Sequence, residues 1–191
     1  MGNYFGIDMI SSVDNTISNM VYNPPKFNKL KFSHILNNPR VNSFDIQSRH
    51  ITTNVLEISP KFKSTKILIF SHGNACDNIS MYTYLKSLSE GLGIAVCSYD
   101  YPQYGMSTGE LNENTCTESL TSVVNYYLGL HYDITLVAQS IGTGVLVNYA
   151  TNNNWTNPII LISPYMSVPS IATGTTLMDS CITKNRYSIT T

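Results

Sequence analysis

Four short, nearly continuous apolar runs separated by longer segments of helical spacing constrain this chain more than any other feature. The runs are Ile67-Leu68-Ile69-Phe70, Ile94-Ala95-Val96-Cys97, Ile134-Thr135-Leu136-Val137-Ala138 and Ile159-Ile160-Leu161-Ile162. A strand covered by helices on both faces reads this way, because neither face meets water. The intervening segments, about residues 80–91, 112–130 and 141–152, carry apolar residues at helical spacing. Strand and helix repeated in this order predict a mostly parallel sheet with right-handed crossovers and flanking helices, an α/β fold. Gly91 and Gly93 fall where the first of these helices should stop. Pro158 stands just before the last run, where it costs no ladder bond.

Upstream the pattern alternates instead. Residues 43–49 and 51–59 predict an antiparallel strand pair. Phe44 and Ile46 share one face with Asp45 and Gln47 opposite, and Val55, Glu57 and Ser59 oppose Leu56 and Ile58. Residues 1–40 have no sustained periodicity and carry Asn15, Asn19, Asn23, Pro24-Pro25 and Asn37-Asn38-Pro39. The expected organisation is therefore an irregular N-terminal arm over 1–42 and one α/β domain over 43–191. A chain of 191 residues is long enough to bury one substantial core.

Charge and cysteine usage exclude several functions. Formal net charge is -1, and the longest basic stretch is the short one from Lys26 to Lys31, so a nucleic-acid footprint is absent. Cys76, Cys97, Cys116 and Cys181 are too scattered to surround one zinc ion. They read as reduced thiols of a cytoplasmic protein, with Cys97 a small buried hydrophobe, and no metal or cofactor is expected. No apolar stretch approaches the ~20 residues needed to cross a bilayer, and residues 1–20 do not form a secretory signal. Gly2 is a candidate for myristoylation, although Gly6 stands where Ser or Thr is preferred.

Sites in parallel sheets form at the carboxyl ends of strands, so the residues after each run matter most. Ile67–Phe70 is followed by Ser71-His72-Gly73-Asn74-Ala75, and the third run by Gln139-Ser140-Ile141-Gly142 and a helical segment. A serine hydroxyl attacks well only when it is exposed, deprotonated by a base and faced by oxyanion donors. A sharp strand-to-helix turn supplies the exposure, and small residues two before and two after the serine let strand and helix pass closely. Ala138-Gln139-Ser140-Ile141-Gly142 differs from G-x-S-x-G by one methyl group. The Ile141 amide, at the helix start, is one natural oxyanion donor. The Asn74 amide, after the His72-Gly73 turn, is the second. The competing reading makes Ser140 a plain helix cap. A nucleotide-binding reading of Gly142-Thr143-Gly144 fails, because those glycines fall inside the helix and no P-loop lysine is present.

Three segments in this order resemble the α/β-hydrolase-domain protein depalmitoylases, a group of membrane-associated acyl-protein thioesterases. They are Ser71-His72-Gly73-Asn74-Ala75, the stretch Ser98-Tyr99-Asp100-Tyr101-Pro102-Gln103-Tyr104-Gly105-Met106-Ser107-Thr108-Gly109, and Gln139-Ser140-Ile141-Gly142-Thr143. The resemblance covers about residues 45–170 and extends weakly to Tyr22-Asn23-Pro24-Pro25. It implies an α/β-hydrolase fold, an oxyanion turn containing His72, Gly73 and Asn74, and attack by Ser140 on an acyl ester or thioester. The second segment would shape the wall of the site, where Pro102-Gln103 replaces the more usual Ser-Gly. With Gly2, the resemblance also implies peripheral membrane contact.

The chain departs from that family in one respect. The triad order of this fold is Ser, then acid, then His. After Ser140 there is one acid, Asp179, not at the family's position, and no histidine, since His34, His50, His72 and His131 all precede it. The expectation is an incomplete, C-terminally truncated hydrolase fold with the catalytic acid and histidine lacking. His72 is the one surrogate base worth weighing. A sheet ending at Ile159–Ile162 would leave an exposed edge suited to self-association or to a complementing chain. The alternatives are an incomplete serine hydrolase and a catalytically inactive relative that binds an acyl group or a protein.

Overall fold

The structure, a computed structural model, describes residues 21–165 and 167. Strand β1 (Val41–Ser48) pairs antiparallel with β2 (Ile51–Ile58), with Val41 opposite Ile58 and Ser48 opposite Ile51. The strands β3 (Lys66–Ser71), β4 (Ala95–Tyr99), β5 (Asp133–Gln139) and β6 (Ile159–Ile162) coincide with the four apolar runs. Among the described residues they form one six-stranded sheet of order β1-β2-β4-β3-β5-β6. β4, β3, β5 and β6 are mutually parallel, and β2 joins β4 antiparallel.

The helices explain why the first three runs are continuous, whereas in β6 Ile159 and Ile160 are exposed, against the two covered faces expected of that run. Helix α2 (Asn78–Leu92) lies on one face, and α3 (Glu113–Gly129) and α4 (Ile141–Asn152) lie on the other. Alternate residues of one strand therefore enter different cores. Ile67 and Ile69 pack with Leu120, Val124 and Leu146, whereas Leu68 and Phe70 pack with Met81 and Leu85. Period-two side-chain geometry with both faces covered requires apolar residues at every position.

Helix boundaries follow local chemistry. Asp77 and Ser80 form a capping box at the start of α2, and Asn112 and Thr115 form one at the start of α3. Gly93 takes the left-handed conformation that ends α2, at φ 67°. No helix among the described residues is long and apolar enough to cross a membrane.

Within its described residues, 21–42, the arm departs from the irregular chain expected of it. Residues Lys29–Leu36 form a helix, α1, capped by the Asn28 side chain, which accepts from the Lys31 amide at 2.9 Å. Only Phe32 and Ile35 are buried, so its apolar face spans a single turn, too short for periodicity to register. β1 begins at Val41, inside the segment assigned to the arm. Tyr22 is also buried in the main core.

Candidate active site

Strand β5 ends at Gln139 and α4 begins at Ile141, so a single residue turns the chain from strand to helix. Ser140 does this at φ 51°, ψ −122°, a conformation that costs a residue with a side chain about 1–3 kcal/mol. The turn is held by backbone bonds. The Ser140 amide donates to the Ile162 carbonyl at 3.0 Å, and the Ser140 carbonyl accepts from the Thr143 amide at 2.9 Å and the Thr143 hydroxyl at 2.6 Å. Its own side chain makes no capping hydrogen bond, and the residue is exposed. The helix-cap reading is thereby excluded.

Close packing makes the turn possible. A Cβ on Gly142 would lie 2.8 Å from the His72 carbonyl oxygen and closer still to that of Ser71, so only glycine lets α4 pass the end of β3. Ala138, which stands where glycine is usual, is buried, its methyl taken up by the main core. Gln139 is half-buried and lies in register with Ile162 of β6. Gly73 sits directly against the serine, since a Cβ there would be 3.6 Å from Ser140 Cβ. The loop after β3 and the turn after β5 are thus in contact. Among the described residues neither the Asn74 nor the Ile141 amide donates to a protein acceptor.

His72 is sealed beneath this loop. It is fully buried, and Nδ1 is 2.9 Å from the Gly73 carbonyl oxygen, so Nδ1 carries the ring proton of the neutral imidazole. Nε2 has no hydrogen-bond partner among the described residues and lies 3.6 Å from Oδ1 of Asp100. The Tyr101 and Tyr104 rings cover the imidazole, with centroids 4.3 Å and 5.4 Å away, and the Tyr101 hydroxyl donates to the His72 carbonyl at 2.7 Å. Burial pulls His72 down to about 4 and pushes the Asp100 carboxyl up to about 8, so both are neutral near pH 7. With one nitrogen committed to Gly73 and the other facing Asp100 in the interior, His72 is no surrogate base for Ser140. The other histidines do not converge on the serine. His34 is on α1, His50 is in the β1–β2 turn, and His131 precedes β5 at the end opposite Ser140; all three are exposed. Asp179, Cys181 and Gly2 lie outside the described residues.

The segment between β4 and α3 forms the wall beside the loop. Pro102 is buried, and the exposed Gln103 adopts φ 67°, a left-handed conformation suited to the glycine of the related motif. Gly105, at φ 52°, permits the Asp100 carboxylate to approach, since a Cβ there would lie 2.7 Å from Asp100 Cγ. Sequence reasoning missed the Tyr101 and Tyr104 hydroxyls and the Asn74 side chain as supports of the loop. The two tyrosines stand within the wall motif, but their partners are distant in sequence.

An exposed serine on a strained strand-to-helix turn, at the carboxyl edge of a mostly parallel sheet and against a glycine-containing loop, defines the α/β-hydrolase class. The chain is 34% identical over 181 residues to a protein of Acanthamoeba polyphaga mimivirus whose name assigns it to the α/β hydrolases, covering 91% of this chain and 67% of that one. It is 36% identical over 129 residues to the α/β-hydrolase domain-containing protein aho-3 of Caenorhabditis elegans, over 65% of this chain and 39% of that protein. Identity to the human α/β-hydrolase domain-containing protein 17C is 33% over 119 residues, 60% of this chain and 36% of that one. The chain thus spans well under half the length of the latter two relatives. Among solved structures, an α/β hydrolase of Vibrio vulnificus superposes with a TM-score of 0.67 at 15% identity, over 86% of this chain and 61% of that one. A serine hydrolase homologue of Coxiella burnetii gives 0.55 at 22% identity, over 70% and 65%. At these identities the two structures speak for the fold alone. No protein-family model matches the chain. This chain belongs to the α/β-hydrolase family.

Proposed function

We propose that this chain carries the nucleophile and the oxyanion donors of a serine hydrolase acting on acyl esters or thioesters, in the manner of the protein depalmitoylases it resembles. Ser140 Oγ attacks the acyl carbonyl, the Asn74 and Ile141 amides receive the developing oxyanion, and the alcohol or thiol departs with a proton. Water then releases the acyl group from Ser140. The observation that carries this reading is the backbone of Ser140, whose positive φ is maintained at a cost and whose hydroxyl caps nothing. A residue held in strain where its side chain serves no structural bond is characteristic of a nucleophile.

In this proposal the base is not one of the described histidines of the same chain as Ser140. A partner supplies it in trans, either a second copy of this chain offering one of its exposed histidines or a complementing chain. Peripheral membrane contact through Gly2 belongs to the same reading, and equal membrane partitioning of the wild type and Gly2→Ala would remove it. The burial of His72 favours a second reading, an inactive relative that keeps the turn and binds an acyl group or a protein. Fluorophosphonate labelling of the purified chain beside Ser140→Ala separates the two. Labelling at Ser140 alone supports the hydrolase, and a folded chain that never labels supports the inactive relative. Where labelling fails, even an intact oxyanion hole leaves only about 10³–10⁴-fold residual catalysis.

A further inference from the structure

The Asn74 side chain is the centre of four hydrogen bonds, and two of them reach the N-terminal segment. Its Oδ1 accepts from the Asn23 amide, the Tyr104 hydroxyl and the Ala75 amide, each at 2.9 Å, and its Nδ2 donates to the Val21 carbonyl. The Asn23 amide is shared with the Tyr104 oxygen, at 3.2 Å. Tyr22, between the two anchored residues, is buried in the main core. His72 and Tyr101 hold the first half of the loop, at His72 and Gly73, but residues 74–76 have little else to hold them. Ala75 sits at φ 56°, and the loop's own backbone bond, Cys76 amide to Gly73 carbonyl, is long at 3.4 Å. A strained turn persists only when its surroundings over-determine it.

We infer that residues 21–23 latch the oxyanion loop, fixing the Asn74 amide beside Ser140 through the Asn74 side chain and Tyr104. This rests on the proposed hydrolase reading for its catalytic consequence, but the latch itself does not. Asn74 then has two separate duties, its amide facing the site and its side chain tying that amide to a segment about fifty residues upstream. The Asn74 side chain and Tyr104 are positioning residues, and the N-terminal segment becomes a handle on the reactivity of Ser140.

The test uses the full chain with Asn23→Pro, which deletes the shared donor without touching the loop, and Tyr104→Phe, which deletes the hydroxyl and keeps the ring. Hydrogen exchange at the Ala75 and Cys76 amides is measured beside fluorophosphonate labelling of Ser140. One lost hydrogen bond of ordinary strength should speed local exchange about 2- to 12-fold, with β5 and α3 unchanged. The double variant, which removes both of these bonds to Asn74 Oδ1, should exchange at least as fast as either single variant. Labelling should slow in parallel. Unchanged exchange at Ala75 and Cys76 in both variants would overturn the latch. Faster exchange with labelling at the wild-type rate would overturn its control of Ser140. Faster exchange in a chain that never labels leaves the latch standing and removes the hydrolase reading instead. If Asn23→Pro does not fold, Tyr104→Phe carries the test alone.

Discussion

Nε2 of His72 lies 3.6 Å from Oδ1 of Asp100, both side chains buried, in an arrangement that keeps each neutral rather than forming an ion pair. Asp100 is oriented by the Asn78 amide, which donates to Oδ1 at 2.8 Å. The pair underlies the loop that carries Asn74, so its protonation is written into stability.

The two groups act in opposite directions with pH. His72 falls from 6.5 to about 4 on folding, so its contribution to stability is lost as pH drops from 6.5 towards 4. Asp100 rises from 3.8 to about 8, so the folded state holds its proton more tightly and stability declines as pH rises from about 4 to about 8. Below pH 6.5 the two slopes oppose each other, and above it only Asp100 remains. Thermal unfolding of the wild type should show a falling Tm from pH 6.5 to 8, and Asp100→Asn should flatten that interval. An identical slope in the variant would assign the effect to other groups.

Relieving the strain at Ser140 should stabilise the fold. Ser140→Gly removes a side chain that makes no capping bond from a positive-φ position, and should add about 1 kcal/mol, or roughly 2–4 °C in Tm. The same variant should not label with fluorophosphonate. A drop in Tm would mean that the serine hydroxyl contributes to the turn.

Gly142 and Gly91 should answer oppositely to the same change. Gly142→Ala drives a methyl into the carbonyls of Ser71 and His72 and should cost about 1–3 kcal/mol despite better helix propensity. Gly91, within α2, faces open space, with nothing within 4 Å of where a methyl would sit, so Gly91→Ala should stabilise by about 0.5–1 kcal/mol. Chemical denaturation of both variants measures the contrast.

Gln103 holds a left-handed backbone at an exposed position, with one weak side-chain bond, Nε2 to the Gly109 carbonyl at 3.4 Å. Gln103→Gly should therefore be neutral or stabilising by up to about 1 kcal/mol. Destabilisation beyond that would show that the side chain, and not the backbone, shapes the wall.

The architecture was legible in the amino-acid sequence. Runs such as Ile67–Phe70 announce strands buried on both faces, and Gly142 and Ser140 announce a tight strand-to-helix turn, because these constraints act between near neighbours in the chain. The order of residues also places all four histidines of these 191 residues before Ser140. Helix α1 escaped such reasoning, since two buried residues do not make a periodic signal. Folding in three dimensions was needed to fix the fate of groups whose partners lie far away along the chain. His72 could be a base or a buried support until Asp100, Tyr101 and Tyr104 closed over it. Asn74 could be one more loop residue until Val21 and Asn23 came to its side chain. Periodicity records which face a residue buries, whereas hydrogen bonding and desolvation depend on which distant atoms arrive there, and that is settled only when the chain has folded.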